Sequence, residues 1–318
     1  MTLTPPAPSG PATRWPVRAL WPLAVANLVA NISIVVTGGA VRVTGSGLGC
    51  PTWPRCTDES YVVHGELGVH GAIEFGNRML TFVLVVIALA CWVAALVDRV
   101  RRRRAAEPSS RPFVLATVVL LGIPMQAVIG GITVHTDLNP WVVSLHLLVS
   151  MAIIGVCVAL LDSLRGPGRS WAPPLVRGLT GLVLVTAWVV LYLGTVVTGS
   201  GPHSGDTDSR RTGLDPQVMS HVHAAAVYVL LALTVGLLVV ARRGGLATVA
   251  RAAGLLLGVE VAQGVVGFTQ YFLDLPEALV VVHLLGAGLL SASATAVWLS
   301  ARQRSSGSSA TETKSSAR

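Results

Sequence analysis

Eight apolar runs, each long enough to cross a bilayer, alternate along the chain with short polar connections. They cover about Trp21–Thr37, Gly71–Val97, Phe113–Ile132, Trp141–Leu161, Leu175–Val197, Gln217–Val240, Ala247–Phe268 and Ala278–Leu299. Roughly 20 apolar residues are needed to span the hydrocarbon layer, so the pattern predicts eight transmembrane helices. The second run is broken near its start by Ile73-Glu74-Phe75-Gly76-Asn77-Arg78, ahead of the continuous stretch Met79–Val97. Ionisable groups in such a segment face protein or a wet cavity, pair with something and mark function. The structural alternative is an i,i+4 pair, Glu74 with Arg78, steadying one helix turn.

The runs also repeat. A shift of 137 positions lays Gln126 on Gln263, Val128 on Val265, Gly130 on Gly267, Asp137-Leu138 on Asp274-Leu275 and His146 on His283. A shift of 146 lays Phe82-Val83-Leu84 on Tyr228-Val229-Leu230 and Asn77 on His223. The string Val35-Val36-Thr37-Gly38-Gly39 after the first run is echoed by Val196-Val197-Thr198-Gly199-Ser200 after the fifth. The predicted fold is therefore an all-α polytopic membrane protein of eight helices, built as two parallel four-helix-bundle repeats related by an axis along the membrane normal.

Counted from one end of the helices, Glu74, Asn77, His146, His223 and His283 fall at similar depth, all on even-numbered helices. The first half then sets Asn77 and Glu74 against His146, and the second sets His223 against His283. Two imidazoles facing each other across a bundle are the arrangement that holds a haem iron from both sides. His221 competes with His223 for that role, but residues two apart point to different helix faces, and the repeat favours His223. A lone histidine in an apolar helix is more often a hydrogen-bonded core residue; the duplication argues for a ligand. A zinc site would need three or four converging ligands, and only the second half has even two. His70, one turn before Glu74, either joins the site or lies at the interface. His64, His135 and His203 belong to loops. Arg42, Arg55 and Arg78 are candidates to meet haem propionates, and Gln126 and Gln263 to bond between helices.

Composition restricts the chemistry further. Of 318 residues, 52% are hydrophobic and 12% charged, which excludes a soluble globule of this size. The net charge of +8 does not indicate a nucleic-acid partner, because Arg99, Arg101–Arg104, Arg165, Arg169, Arg242 and Arg243 fall in alternate connections. By the positive-inside rule those connections, and both termini with Arg14, Arg18, Arg302 and Arg304, are cytoplasmic. The Pro-rich Met1–Pro11 and Ser-rich Ser305–Arg318 are expected to be disordered. The first apolar run is expected to be a retained helix rather than a cleaved signal. Cys50 and Cys56 lie in the first outside loop, where an oxidising compartment permits a disulfide; two free thiols are the alternative. Cys91 and Cys157 are expected in the core.

Taken together, three stretches and two helices resemble the haem A synthase family. The stretches are Thr44-Gly45-Ser46-Gly47-Leu48-Gly49-Cys50-Pro51-Thr52-Trp53-Pro54-Arg55-Cys56, Ile73-Glu74-Phe75-Gly76-Asn77-Arg78 and Gly194-Thr195-Val196-Val197-Thr198-Gly199-Ser200-Gly201-Pro202-His203. The helices are those carrying His146 and His283. The resemblance implies an oxidoreductase that converts a methyl group of haem O into a formyl group by successive hydroxylations and loss of water, for cytochrome oxidase assembly. It further implies Glu74 as the catalytic acid, His146 with Asn77 and Arg78 on the substrate haem, and His223 and His283 as axial ligands of a resident haem b. Cys50 and Cys56 match the family's paired loop cysteines. The expected organisation is a tail over 1–18, a substrate-side half over 19–165, a haem b half over 166–302 and a tail over 303–318. Expected surroundings are a bacterial cell membrane, with haem O synthase and an electron acceptor as partners. Many family members carry a histidine at the position of Asn77, and some have a second cysteine pair where Gly199–Pro216 has none. A b-type membrane cytochrome that only relays electrons is the competing reading.

Overall fold

The computed structural model describes residues 15–62, 68–105, 109–165, 169–203, 205–206 and 208–304. Most of the expected tails, with Arg14, and the loop histidine His64 lie outside the described residues. Eight helices form: α1 Trp15–Val43, α2 Gly68–Arg104, α3 Arg111–His135, α4 Pro140–Ser163, α5 Pro174–Ser200, α6 Pro216–Arg243, α7 Ala247–Phe272 and α8 Glu277–Ser300. Each is long and apolar enough to cross a membrane. Several outrun the apolar stretches that predicted them. α1 continues through Gly38-Gly39 to Val43, and α2 runs on through its arginines to Arg104. Helical hydrogen bonding is indifferent to polarity, so a helix need not stop where the hydrocarbon does. Two three-residue strands, β1 Arg169–Trp171 and β2 Arg302–Arg304, pair antiparallel and are the exception to an otherwise helical fold among the described residues.

Local chemistry sets the helix starts. Proline opens α3, α4, α5 and α6, where its missing N–H is no loss. The Asp215 carboxylate accepts from the Gln217 and Val218 N–H groups at 2.8 and 3.0 Å, and the Asn139 side chain accepts from the Trp141 N–H at 3.0 Å. The repeat reappears at the opposite ends of α3 and α7. Asp137 and Leu138 have φ of 50° and 55°, and Asp274 and Leu275 have 55° and 58°, a left-handed pair of non-glycine residues in each half. The Leu138 N–H donates to the Thr133 carbonyl and the Leu275 N–H to the Gln270 carbonyl, each at 2.9 Å.

α1, α2, α3 and α4 pack in sequence and close into a ring through α1 against α4; α5 to α8 close likewise through α5 against α8. The halves meet where α8 packs on α1 and α4, and α4 on α5. A two-fold axis between α4 and α8 produces this pattern, since it exchanges the α1–α8 contact with the α5–α4 contact. Along that seam the Ser291 hydroxyl donates to the Met151 carbonyl at 2.8 Å, satisfying both groups where no water reaches. Met151, Ile154, Leu237, Leu256 and Val297 are fully enclosed, whereas Phe82, Val86, Leu121, Leu255 and Phe272 face outward as a lipid-facing belt requires.

Glycines let the helices approach. A Cβ on Gly286 of α8 would overlap the Gln263 side-chain amide of α7, so that amide occupies space only glycine leaves free. Gly286→Ala is expected to expel Gln263 from its seat and lower stability by about 1–3 kcal/mol, as overpacking does. Thermal unfolding in detergent, compared with Gly254→Ala at a position with open space around it, measures this.

Candidate functional site

The polar residues singled out by sequence gather near the N-terminal ends of the even helices. Glu74 and Asn77 on α2, His146 on α4, His223 on α6 and His283 on α8 lie about 9–14 Å along the axis from where their helices begin. All four helices start on the same side of the molecule, where the Cys50–Cys56 loop lies.

Glu74 turns into protein and is only 7% exposed. Its Oε2 accepts from the Cys50 backbone N–H at 2.8 Å, and its Oε1 accepts from Nε of Arg78 at 3.1 Å and from Nη2 of the same guanidinium. Arg78 also donates to the carbonyls of Thr52 and Arg55 at 3.2 Å and of Cys50 at 3.4 Å. The i,i+4 pair is thus real, and it does more than steady one turn. It pins the loop closed by the Cys50–Cys56 disulfide onto the end of α2. Gly49 lies against the backbone of His70 and Gly71, leaving no room for a Cβ, and Trp53 covers Gly131 of α3 in the same way. Nε2 of His135 pairs with the Trp53 carbonyl at 3.0 Å, and Nδ1 of His70 with the Ser46 hydroxyl at 2.9 Å. The loop is therefore a fitted cover over the first half.

Beneath it, the Asn77 Oδ1 accepts from the Thr37 hydroxyl of α1 at 2.7 Å. The opposing His146 sits on α4. Its ring lies edge-on to α3, with Cε1 3.3 Å from where a Cβ on Gly130 would stand. In the second half Cε1 of His223 is 3.3 Å from the equivalent point on Gly194 of α5, and Cε1 of His283 is 3.6 Å from that on Gly267 of α7. His221 is exposed, its ring 6.1 Å from that of Tyr271. The geometry therefore turns His223 inward and His221 outward.

Gln126 donates through Nε2 to the His146 carbonyl at 3.0 Å and to the Ser150 hydroxyl, and Gln263 donates to the His283 carbonyl at 3.1 Å. The expected interhelical bonds of both glutamines are present, and their target is the backbone of the histidines themselves. Cys91 and Cys157 are buried and free, as expected.

Arg42, Arg55 and Arg78, the candidates to meet haem propionates, bond backbone carbonyls, and so do the loop histidines His135 and His203. Arg42 donates to the His203 carbonyl at 2.6 Å and the Thr198 carbonyl at 3.1 Å, tying α1 to the end of α5. Nε2 of His203 pairs with the Leu275 carbonyl at 2.9 Å. Arg55 donates to the Asp58 carbonyl at 2.7 Å and covers the Tyr61 ring. In this structure Arg42, Arg55 and Arg78 are loop-holding groups: Arg42 bonds two backbone carbonyls, Arg78 three and Arg55 one.

Sequence reasoning missed the glycines as seats for the rings. Gly130 and Gly267 were visible only as repeat matches. It also missed Thr37 and, deeper in the second half, Glu260 of α7, whose Oε1 accepts from the Thr234 hydroxyl at 2.7 Å. A single acid in an apolar run was the available signal.

No group of three or more histidine, cysteine, aspartate or glutamate side chains suited to a bare metal ion occurs among the described residues. Among the described residues the buried Nδ1 atoms of His146 and His283 have no hydrogen-bond partner, and buried imidazoles left so call for a further partner. A macrocycle that brings its own equatorial ligands needs only one or two imidazoles from the protein, and the residues present fit such a group.

Two four-helix bundles side by side, with inward imidazoles at one level under a disulfide-closed cover, define the class of the molecule as a polytopic helical membrane protein. Sequence comparison makes the assignment specific. The profile of the cytochrome oxidase assembly protein family COX15-CtaA matches residues 21–203, and the chain belongs to that family. A protein of Rhizobium etli named Heme A synthase is 23% identical over 85% of this chain and 86% of its own length. Heme A synthases of Bacillus licheniformis and Listeria monocytogenes are 24% and 29% identical, over 57% and 53% of this chain. The chain spans 59% and 54% of those two proteins.

Arg78→Met leaves the Glu74 carboxylate buried without its cation and frees three loop carbonyls. It is expected to cost about 3 kcal/mol and to speed hydrogen exchange at the Cys50 amide, read by mass spectrometry of the loop peptide.

Proposed function

We propose that this protein is a haem A synthase, oxidising a methyl group of haem O to a formyl group by two successive hydroxylations and loss of water. The observation that carries the reading is the asymmetry between otherwise matched halves: two facing imidazoles in one, and one imidazole with a buried acid in the other. Membership of the family and the names of its relatives support it.

In the first half, His146 holds the iron of haem O, the substrate, from one side. Asn77 stands where the copy has His223, and its Oδ1 is held by Thr37, so its carboxamide lines the pocket instead of ligating. Glu74 receives protons released as the methyl C–H bonds are oxidised, a role suited to a positioned carboxylate. Arg78 fixes that carboxylate and the loop above it, which excludes water from the pocket. In the second half, His223 and His283 would hold haem b, with Gly194 and Gly267 giving their rings room. Haem b supplies a one-electron relay for the electrons taken from the substrate. The arginine-rich connections and both termini face the cytoplasm of a bacterial cell, placing both sites toward the outer surface. Haem O synthase as donor of substrate and an electron acceptor complete the partners.

Expression in cells that make haem O but lack haem A tests the reading. The wild-type chain is expected to yield haem A on extraction, and Glu74→Gln to lower the yield about 10²–10⁴-fold while retaining haem b. His223→Ala and His283→Ala are expected to lose haem b. Gly194→Ala, which presses on the His223 ring, is expected to lower haem b occupancy more than Gly267→Ala, whose Cβ has ordinary room. Haem b alone with no conversion would favour the electron relay instead.

A further inference from the structure

Glu260 lies in the middle of α7 and is 4% exposed. Its Oε1 accepts from Thr234 of α6, whereas its Oε2 is buried and among the described residues has no hydrogen-bond partner. No basic side chain among the described residues pairs with it. The ionisable residues on the two helices packed against α7 are His221, His223, Tyr228, Arg242 and Arg243 of α6, and Glu277 and His283 of α8. On α6, Tyr228 and Arg242 flank Thr234, each more than a turn away; on α8, Glu277 and His283 lie toward the opposite end from the level Glu260 occupies. On α7 itself the nearest are Arg251 and Tyr271, also more than a turn off. Position 123, the repeat counterpart of Glu260, is Ile123. The acid is therefore peculiar to the second half.

An unpaired carboxylate in a bundle surrounded by lipid is costly, and proton relay is one of the roles for which intramembrane acids are retained. Glu260 also stands in a telling place. Gly267, which seats the His283 ring, is seven positions along α7, so the carboxyl lies about 10 Å along the axis beyond that ring. An electron entering the His223–His283 site adds a negative charge to a low-dielectric interior. A proton taken up nearby cancels it.

Building on the haem b assignment above, we propose that Glu260 is the proton-binding group of the second half, loaded and unloaded in step with the electron held between His223 and His283. With haem b bound there, each electron it would accept from the substrate oxidation would be matched by one proton from the aqueous phase joining Oε2 of the Glu260 carboxylate. When the electron leaves to a one-electron acceptor, the O–H bond breaks and the proton departs, so charge and atoms balance in each direction. Thr234, donating to Oε1, is the positioning residue.

The test is a redox titration of the purified haem-loaded chain, with dithionite as reductant and ferricyanide as oxidant, at several pH values. It is paired with the reduced-minus-oxidised infrared difference spectrum. The wild-type midpoint potential is expected to fall as pH rises, and the difference spectrum to carry a protonated-carboxyl band. Glu260→Gln, nearly isosteric with the neutral acid, is expected to keep the haem spectrum, flatten the pH dependence and remove the band. A wild-type potential independent of pH, or one whose pH dependence survives Glu260→Gln, overturns the proposal. Should Glu260→Gln not load haem, Thr234→Val decides: a displaced pH window supports the proposal and an unchanged one refutes it. Absence of haem from the wild-type chain would instead defeat the haem b assignment, so the two failures are distinct.

Discussion

Two bonds of the same kind, from the Gln126 side chain to the His146 carbonyl at 3.0 Å and from Gln263 to the His283 carbonyl at 3.1 Å, show the constraint under which the molecule is built. Within a bilayer a polar side chain has only protein to bond to. A glutamine on α3 or α7 therefore fastens onto the neighbouring helix at the one residue whose orientation matters most. The bond fixes the height of α4 against α3, and of α8 against α7, at the level of the imidazoles. Glycines do the remainder: Gly286 makes room for Gln263, and Gly130 and Gly267 make room for the rings. Imidazole position and helix packing are one problem solved by the same few residues.

The two halves solve it alike and then diverge. Both keep glutamine, glycine and histidine in register, and both end the odd helix with a left-handed Asp-Leu pair. The first half adds Glu74 and Arg78, which bind the disulfide loop down as a cover. The second replaces Glu74 and Arg78 with Ser220 and Ala224, gains His223 in place of Asn77, and carries Glu260 deeper in the bundle. Duplication supplies the scaffold; a handful of substitutions separates a reacting chamber from a conducting one in the proposed mechanism. Arg42 and His203 then join the halves at the loop end through backbone carbonyls, whose positions are fixed by the helices that present them.

Much of this was legible in the chain itself. Spans follow from the thickness of the hydrocarbon, the repeat from residue identity at fixed shifts, and the choice of His223 over His221 from that repeat. Those are local or one-dimensional facts. The extension of α1 to Val43 and of α2 to Arg104 was not legible, because polarity marks the membrane boundary rather than the helix end. Nor were the roles of Arg42, Arg55 and Arg78. A guanidinium bonds whatever acceptors surround it, and the nearest here are carbonyls distant in sequence.

The amino-acid order determined how many helices are long and apolar enough to cross the membrane, that its halves echo each other at fixed shifts, and which side chains are too polar to sit in a bilayer without purpose. Tertiary structure alone decided which partner each of them found: Cys50 and Arg78 for Glu74, Thr37 for Asn77, Thr234 for Glu260, and a glycine for every inward imidazole. The reason is physical. Hydropathy and periodicity act residue by residue along one helix, whereas hydrogen bonds and close packing depend on which helices become neighbours and at what height, and that is settled only when all eight assemble.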